Sequence, residues 1–429
     1  MAEWNGIKVT YIYSACIVTE TPDVRILHDP WFSEGVYDGS WYHFPQVHDP
    51  LDTIGDVDII YVSHIHPDHY DPSFLKKYFD RFGEKQVIIA NHRKNYLNGK
   101  MKGDGIIATI LEDDLIIRET TIAILPHDNG SSSSIDSAIV IKFKEENRTH
   151  CVVNANDIIF DDDMRKKLKQ AAGEVDILLC GYTGAGPYPQ TYFDLSDPQI
   201  IEEAKNKKNH FFERYKTLID DIQSKINIPF AGKYILGGKL ARLNYYRGVA
   251  DPVEVLGFDN RAIVLADNGG WISTADLIPH GVRKDPYARD LIDQRIRDIS
   301  SLKMDYERLI AEDEVYQLPL KRLLAAAARN ACAKSECERD YYFCFHLPSD
   351  EYAVINASRN HAESVKYVTD EEDLPLPRSV VDVDPRYLFG LLTHVYHWNN
   401  AEVGSHCTVR RTPNELDRSA QSFLNFLAV

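Results

Sequence analysis

The chain has 429 residues, a length that predicts two domains and leaves ample sequence for a buried core. Its composition, 44% hydrophobic and 11% aromatic with 26% charged residues, excludes an intrinsically disordered chain. The formal net charge of −17 disfavours a nucleic-acid substrate, because binding to a phosphate backbone depends on lysine and arginine.

Short β-rich runs dominate the first half of the chain, and helical alternation of charged and apolar residues becomes frequent later. In chain order, the predicted strands are 7–21, 24–27, 57–62, 87–90, 121–125, 138–144, 149–154, 175–180, 341–345 and 352–355. The predicted helices are 71–81, 162–172, 199–225, 288–312 and 318–335. Strands that alternate with helices indicate α/β sheets covered by outer helices. The change of character near residue 285 predicts a larger domain over 1–285 and a smaller α+β accessory domain over 286–429.

Four potential metal ligands follow the predicted strand 57–62 directly. They are His64, His66, Asp68 and His69. Because side chains two apart in an extended stretch point to the same side, His64 and His66 can bind one ion. The turn after them directs Asp68 and His69 towards a second ion. The spacing predicts a dinuclear metal centre, and imidazole with carboxylate suits zinc, iron or manganese about equally.

The remaining ligands are expected at other strand ends. His127 follows the strand 121–125 and Asp157 follows the strand 149–154. A carboxylate at Asp157 can bridge two ions, whereas its simpler role would be to form a turn. His150 is the alternative to His127, but it begins a strand, where a surface role is more common.

The segment 64–69 and the early Asp29-Pro30-Trp31 resemble the metallo-β-lactamase superfamily. Further segments resemble the catalytic region of the CMP-N-acetylneuraminate hydroxylase family and its bacterial relatives. They are residues 135–137, 154–157, 181–189 and 229–232. The resemblance covers about residues 1–280 and implies an αββα sandwich with the dinuclear centre at one edge of its sheets. It implies that one metal is held by His64, His66 and His127 and the other by Asp68, His69 and Asp157.

Two departures from that family affect the expected chemistry. The hydroxylases carry a Rieske domain, which needs paired Cys-x-His and Cys-x-x-His boxes, and this chain has only Cys344-Phe345-His346. Electrons for an oxygenase would therefore come from a separate ferredoxin or reductase. Many members also offer a late histidine to the second metal, but residues 232–238 contain none. The candidates for substrate binding are Lys233, Tyr182 and His48, although a solvated surface lysine is the commoner interpretation of Lys233.

Three functions remain open from the sequence. The leading hypothesis is a non-haem dinuclear-iron oxygenase that uses dioxygen to hydroxylate a small molecule, such as an anionic sugar nucleotide or a natural product. The alternative is a dizinc hydrolase of the phosphodiesterase or lactonase type, in which Asp68 orients the attacking water. A non-catalytic, metal-stabilised binding protein is the third, but all six candidate ligands are present. Iron is favoured with the first hypothesis and zinc with the second.

The cysteines and the hydropathy of the sequence indicate the cellular compartment of the protein. The seven cysteines are odd in number and never spaced Cys-x-x-Cys, which predicts a reduced, cytoplasmic environment. The N-terminus lacks the features of a secretion signal, and no apolar run approaches the roughly eighteen residues that span a bilayer. We therefore expect a cytoplasmic protein with a small-molecule substrate, no membrane span and no nucleic-acid partner.

Overall fold

The structure, a computed structural model, describes residues 5–128, 135–360 and 365–429. Residues 1–4, on which part of the expectation about a secretion signal depends, lie outside the described residues. Within the described ranges, no helix is both long enough and apolar enough to cross a membrane.

Most of the strands lie in the first two thirds of the chain. They are β1 (Lys8–Tyr13), β2 (Cys16–Glu20), β3 (Arg25–His28), β4 (Trp41–Tyr42), β5 (Ile59–Tyr61), β6 (Gln86–Ala90), β7 (Ala108–Leu111), β8 (Leu115–Ile117), β9 (Thr120–Pro126), β10 (Ser137–Glu145), β11 (Arg148–Asn154), β12 (Ile177–Gly181), β13 (Ile226–Phe230), β14 (Ile235–Leu236), β15 (Gly270–Ser273), β16 (Tyr342–Leu347), β17 (Glu351–Asn356), β18 (Lys366–Val368), β19 (Arg378–Val383) and β20 (Cys407–Thr412).

Helices lie between the strands and become frequent after residue 285. They are α1 (Val36–Gly39), α2 (Pro50–Ile54), α3 (Pro72–Phe82), α4 (Tyr96–Gly103), α5 (Asp162–Ala172), α6 (Gln199–Ile222), α7 (Arg289–Ile299), α8 (Asp305–Leu309), α9 (Leu320–Lys334), α10 (Pro385–Leu392), α11 (Trp398–Val403) and α12 (Arg418–Ser422). Short 3-10 helices cover Gly238–Tyr246, Pro252–Gly257, Glu312–Gln317, Glu371–Asp373 and Phe423–Phe426.

Two sheets pack face to face in the first 280 residues. The first sheet has the strand order β15-β1-β2-β3-β5-β6-β7, and the second has the order β13-β12-β11-β10-β9-β8. Their inner faces share one apolar core, to which the first sheet contributes Ile17 and Ile26 and the second contributes Ile139 and Ile177. Helices α2, α3 and α4 cover the outside of the first sheet, and α5 and α6 cover the second. These layers confirm the predicted αββα sandwich.

Local sequence accounts for the helices that flank the sheets. Helix α3 begins after Asp71, whose carboxylate accepts a hydrogen bond from the backbone N–H of Phe74, with Pro72 in the first turn. Helix α5 begins in the same way after Asp161. Helix α6 ends three residues before the predicted boundary because Gln223 adopts a left-handed conformation, with φ of 55°.

Parallel strand pairs bring several loops to one edge of the sandwich. In the first sheet, β3 and β5 are parallel neighbours, so the residues after His28 and Tyr61 meet. The backbone N–H of Asp29 donates to the carbonyl oxygen of Tyr61 at 3.0 Å. In the second sheet, β11, β12 and β13 are parallel, and their following loops emerge together. The predicted metal ligands lie in these loops.

The last third of the chain forms a second sheet system that packs against this edge. Its five strands have the order β18-β17-β16-β19-β20, and its core continues into Tyr37 and Trp41. Gly39 shows how close the approach is: a Cβ there would lie 2.9 Å from Cα of Met304, and the φ of Gly39 is 96°. We propose that the domain boundary lies near residue 285, as predicted, because β15 is the last strand of the first sheet.

Candidate metal centre

His69 lies in the loop after β5 and is held by a buried carboxylate. Its Nδ1 lies 3.0 Å from Oδ2 of Asp29, which is itself fully buried. The carboxylate can only accept, so His69 donates through Nδ1, which leaves Nε2 as the nitrogen that can bind a metal. Nε2 is buried and has no hydrogen-bond partner among the described residues. An imidazole oriented by a carboxylate in this way is typical of a metal ligand.

His64 is oriented by a hydroxyl. The Oγ of Ser63 donates to Asp29 at 2.7 Å, so it accepts from Nδ1 of His64 at 2.9 Å. The Nε2 of His64 is therefore unprotonated. Burial, together with the neighbouring His69 and His66, lowers the pKa of His64 well below its usual range. The imidazole is neutral, which is the form that binds a metal.

His66 is oriented from the far end of the chain. Its Nε2 lies 2.9 Å from the side-chain oxygen of Asn399, at the start of α11. The amide oxygen accepts, so Nε2 of His66 carries the proton and Nδ1 carries the lone pair. That Nδ1 lies 2.8 Å from Nε2 of His64.

Two unprotonated nitrogens that face each other repel unless a cation lies beside them. Nitrogens bound to one tetrahedral ion at about 2.1 Å lie roughly 3.4 Å apart, so these two nitrogens, 2.8 Å apart, would separate slightly on binding an ion. The hydrogen bonds of the surrounding residues thus leave this pair of nitrogens suited to one metal ion.

A second group of acceptors surrounds His69. Its Nε2 lies 3.5 Å from Oδ2 of Asp68 and 3.3 Å from Oδ2 of Asp157. The other oxygen of Asp68 accepts a hydrogen bond of 2.6 Å from Tyr37, which leaves Oδ2 available. Burial opposes a charge on His69, but Asp157 and Asp68 outweigh it and raise the pKa of His69 well above its usual range. The position therefore favours positive charge, and a divalent cation fits it.

The two groups are adjacent. Ligand atoms of His64, His69 and Asp157 all lie within 4.8 Å of one another. The predicted ligands His64, His66, Asp68, His69 and Asp157 are thus brought together, with five donor atoms in two sets. The donor set is imidazole with carboxylate, which suits divalent zinc, iron or manganese.

Comparisons with known proteins give a family match for the part of the chain that carries these residues. Residues 8–194 match the family model of the beta-lactamase superfamily domain. Over these residues the chain is similar to that domain. A protein of Mycolicibacterium smegmatis described as a Rieske 2Fe-2S iron–sulfur protein is 28% identical over 264 residues, which are 58% of this chain and 48% of that protein. The cytidine monophosphate-N-acetylneuraminic acid hydroxylase of Pongo pygmaeus is 23% identical over 257 residues, which are 54% of this chain and 39% of that protein.

Solved structures with this domain include a hydroxylase and a hydrolase. CmlA, a diiron beta-hydroxylase from Streptomyces venezuelae, matches with 14% identity and a TM-score of 0.42, over 64% of this chain and 55% of that chain. An isothiocyanate hydrolase from Delia radicum gut bacteria matches with 16% identity and a TM-score of 0.42, over 62% of this chain and 98% of that chain. The chain spans less than half the length of the curated relatives that it matches.

A cavity of about 560 Å³ opens beside the candidate metal centre. His66, Asp68 and Asp157 line one side of this first cavity. The other walls come from the loop after β12, from α6 and from Val403 of α11. Its size is that of a small-molecule site.

His127 shares the edge of the sheets with the metal centre, because its backbone N–H donates to the carbonyl oxygen of Asp136 at 2.9 Å. Its Nε2 is buried without a hydrogen-bond partner among the described residues and lies 3.8 Å from Asp161. The structure does not bring this nitrogen into the His64, His69 and Asp157 group. A role for His127 as a ligand stays a prediction.

The three predicted substrate-binding residues lie away from the first cavity. Lys233 forms an ion pair with Asp267 at 2.6 Å. Lys233 and Tyr182 both line a second cavity. His48 is exposed and lines neither of these two cavities. Lys233 is therefore not a solvated surface lysine, because its side chain is buried in an ion pair.

Other residues reach the centre that the sequence did not single out as site residues. Asp29 and Ser63 hold the histidines, Tyr37 holds Asp68, and Asn399 holds His66. Asp136 lies 3.7 Å from His64 and lines the first cavity. Two of them carried a usable signal, since Asp29 and Asp136 belong to segments that resemble the family.

Asn399 offers a direct test of the orientation of His66. Replacing Asn399 by alanine removes the acceptor at Nε2 of His66, and we expect metal affinity to fall about tenfold to a hundredfold. Asn399→Asp keeps an acceptor oxygen and should retain most of the affinity. Titration with metal against a chelator measures both variants, with Asn400→Ala as the neighbouring control. Equal affinity in Asn399→Ala and Asn400→Ala would remove Asn399 from the account.

Proposed function

We propose that the chain is a dinuclear metal oxygenase that hydroxylates a small anionic molecule in the first cavity. The observation that carries the two-metal part is the convergence of unprotonated acceptors, His64 with His66 and Asp68 with Asp157 around His69. The hydroxylase of Pongo pygmaeus, which matches 54% of this chain, supports oxygenation over hydrolysis. Both ligand sets combine imidazole with carboxylate, a combination that iron accepts.

Bound iron would supply the activation of dioxygen, of which one atom enters the substrate and the other becomes water with two electrons from a donor. The Rieske description of the Mycolicibacterium smegmatis relative supports an iron–sulfur donor outside this chain, such as a ferredoxin with its reductase. We also place the protein in the cytoplasm, because all seven cysteines are buried and unpaired.

The chain's own residues position the substrate. Arg214 on α6 lines the first cavity and packs over the ring of Phe211 at 5.3 Å. Within the part of the chain that the structure describes, no carboxylate forms an ion pair with Arg214. Burial and the neighbouring Arg418 lower the pKa of Arg214, so an anionic group here would relieve a repulsion between two cations. This supports an anionic substrate.

Hydrolysis is the second candidate function, and the observation that supports it is the environment of Asp68. Tyr37 holds one oxygen of Asp68 and leaves the other towards the cavity, where a carboxylate can orient an attacking water. Bound zinc would supply a hydroxide at neutral pH. Oxygenase and hydrolase therefore share the same ligands and differ in the metal and in the need for electrons.

Oxygen uptake separates the two candidates. Protein reconstituted without oxygen and with ferrous iron is expected to consume dioxygen on addition of a chemical reductant, beyond the rate of free iron. His66→Ala should remove this uptake, whereas His346→Ala, a half-exposed histidine in β16, should leave it unchanged. Firmly bound zinc with hydrolysis of a nitrophenyl phosphodiester or a lactone, and no iron-dependent uptake, would contradict the oxygenase and support the hydrolase.

A further inference from the structure

A second cavity lies behind an aromatic pair that separates it from the first. Trp41 lines the first cavity and Tyr234 lines the second, and their rings stack with centroids 3.4 Å apart. The second cavity has a volume of about 450 Å³, which is enough for a small molecule. No described residue lines both cavities. We call it the Arg247 cavity after a buried arginine in its wall.

The wall of the Arg247 cavity is basic, although the whole chain has a net charge of −17. Its described cationic residues are Lys205, Lys208, Lys233, Arg247 and Arg289. Its described acidic residues are Asp251 and Glu254, and both already have partners. Asp251 pairs with Arg283 at 2.9 Å, and Glu254 pairs with Lys208 at 2.7 Å. Lys233 pairs with Asp267 at 2.6 Å and Arg289 pairs with Asp293 at 3.0 Å, so the surplus of positive charge in the wall rests on Lys205 and Arg247.

Arg247 holds the least compensated part of that charge. Its side chain is 7% exposed and lies over the ring of Tyr234 at 4.4 Å. One nitrogen, Nη2, donates to the carbonyl oxygen of Tyr234 at 3.0 Å, but Nη1 has no partner among the described residues. No described carboxylate forms an ion pair with Arg247. A buried charge without an opposite charge is costly, which favours an anion in this cavity.

A neighbouring cation strengthens the case. Lys207 on α6 is largely buried and donates to the carbonyl oxygen of Tyr188 at 2.9 Å. Burial, followed by the charge of Arg247, lowers the pKa of Lys207 to about 7. Lys205, two residues earlier on the same helix, is exposed and lines the cavity. An anion beside Arg247 would reduce the repulsion between Arg247 and Lys207.

Aromatic and hydroxyl groups complete the wall. Tyr182 lines the cavity, and its buried hydroxyl has no partner among the described residues. Tyr245 also lines the cavity and is 44% exposed; Arg289 packs over its ring at 4.2 Å, so the other face of the ring is the apolar surface that it offers. A guanidinium matches the oxygens of a phosphate in a fork of two hydrogen bonds, and lysines add point charges.

We propose that the Arg247 cavity binds a small, multiply charged anion of the phosphate-ester or diphosphate class, with its apolar part against Tyr245. This site is separate from the metal centre, and it does not depend on whether the enzyme is an oxygenase or a hydrolase.

Calorimetric titration of the metal-loaded full chain with inorganic pyrophosphate tests the proposal. We expect saturable binding of one pyrophosphate per chain that weakens as salt is added. Arg247→Gln removes a charge-assisted hydrogen bond and should weaken binding by about tenfold to a hundredfold. Lys205→Gln, an exposed position that should not affect folding, should weaken it by about threefold. Lys76→Gln, exposed on α3, removes the same charge elsewhere and should bind like the unchanged chain.

Two outcomes would overturn the proposal. One is the absence of saturable binding at millimolar pyrophosphate. The other is binding that persists in Lys205→Gln and Arg247→Gln but is lost in Asp157→Asn, because the anion would then occupy the metal centre. A thermal melt of each variant distinguishes a lost site from a lost fold.

Discussion

Replacing Asp157 by asparagine is expected to reduce the bound metal from two ions to one and to lower reductant-dependent oxygen uptake by at least about a hundredfold. Asparagine keeps the size and one acceptor oxygen of Asp157 but removes the negative charge beside His69, 3.3 Å away. Loss of a residue that orients a ligand already lowers metal affinity about tenfold to a hundredfold. Loss of a ligand itself should lower the affinity more. The side chain of Asp157 is 40% exposed, so the fold should survive.

Asp161→Asn is the matched control. Asp161 is a carboxylate four residues further on, at the start of α5, and asparagine caps a helix as well as aspartate does. We expect two metals and full oxygen uptake in this variant, measured by mass spectrometry of the metal content and by an oxygen electrode. If Asp157→Asn retained both metals and its activity, Asp157 would not be a ligand.

Asp29 is expected to matter for both stability and metal binding. It accepts hydrogen bonds from the backbone and hydroxyl of Ser63, from His69 and from Asn156 while fully buried. Asp29→Ala leaves these donors without an acceptor, and we expect the free energy of unfolding of the metal-free chain to fall by about 3–5 kcal/mol. Because His69 and Ser63 lose their orientation, metal affinity should fall by a further tenfold to a hundredfold, roughly.

A variant of Asp71 is the control that distinguishes the effect of Asp29 on stability from its effect on metal binding. It is equally buried and accepts from the backbones of Phe32, Ser33 and Phe74, but it does not contact a ligand histidine in the described structure. Asp71→Ala should lower stability in denaturant titrations and leave the metal titration unchanged. Asp29→Asn, which keeps the shape, provides a folded variant if Asp29→Ala does not fold. Equal metal affinities for Asp29→Asn and the unchanged chain would contradict the role of Asp29.

The sequence pattern predicts regular elements well where local signals suffice. The helix predicted at 162–172 is observed as Asp162–Ala172, because Asp161 caps it and its apolar face is periodic. The segment around Tyr37 could not be predicted in this way. Tyr37 has a left-handed φ of 53°, which the local preference of a tyrosine does not favour and which tertiary packing imposes.

In the candidate metal centre too, local spacing predicts some residues and only tertiary packing brings in the others. His64, His66, Asp68 and His69 follow one strand within six residues, so spacing alone predicts them. Asn399 lies 333 residues from His66 in the sequence, and only the packing of α11 against α1 brings the two together. Lys233 and Tyr182 are predicted to bind the substrate of the metal centre, but both line the Arg247 cavity, whereas Gly181 and Thr183, the neighbours of Tyr182, line the first cavity.

Anomalous diffraction at the iron or zinc absorption edge, from crystals of the metal-loaded chain, tests the two-metal centre most directly. The account predicts two peaks per chain, one beside Nε2 of His64 and Nδ1 of His66 and one among Asp68, His69 and Asp157. The same map shows whether His127 joins the first ion. A single peak, or peaks away from these five side chains, would contradict the account.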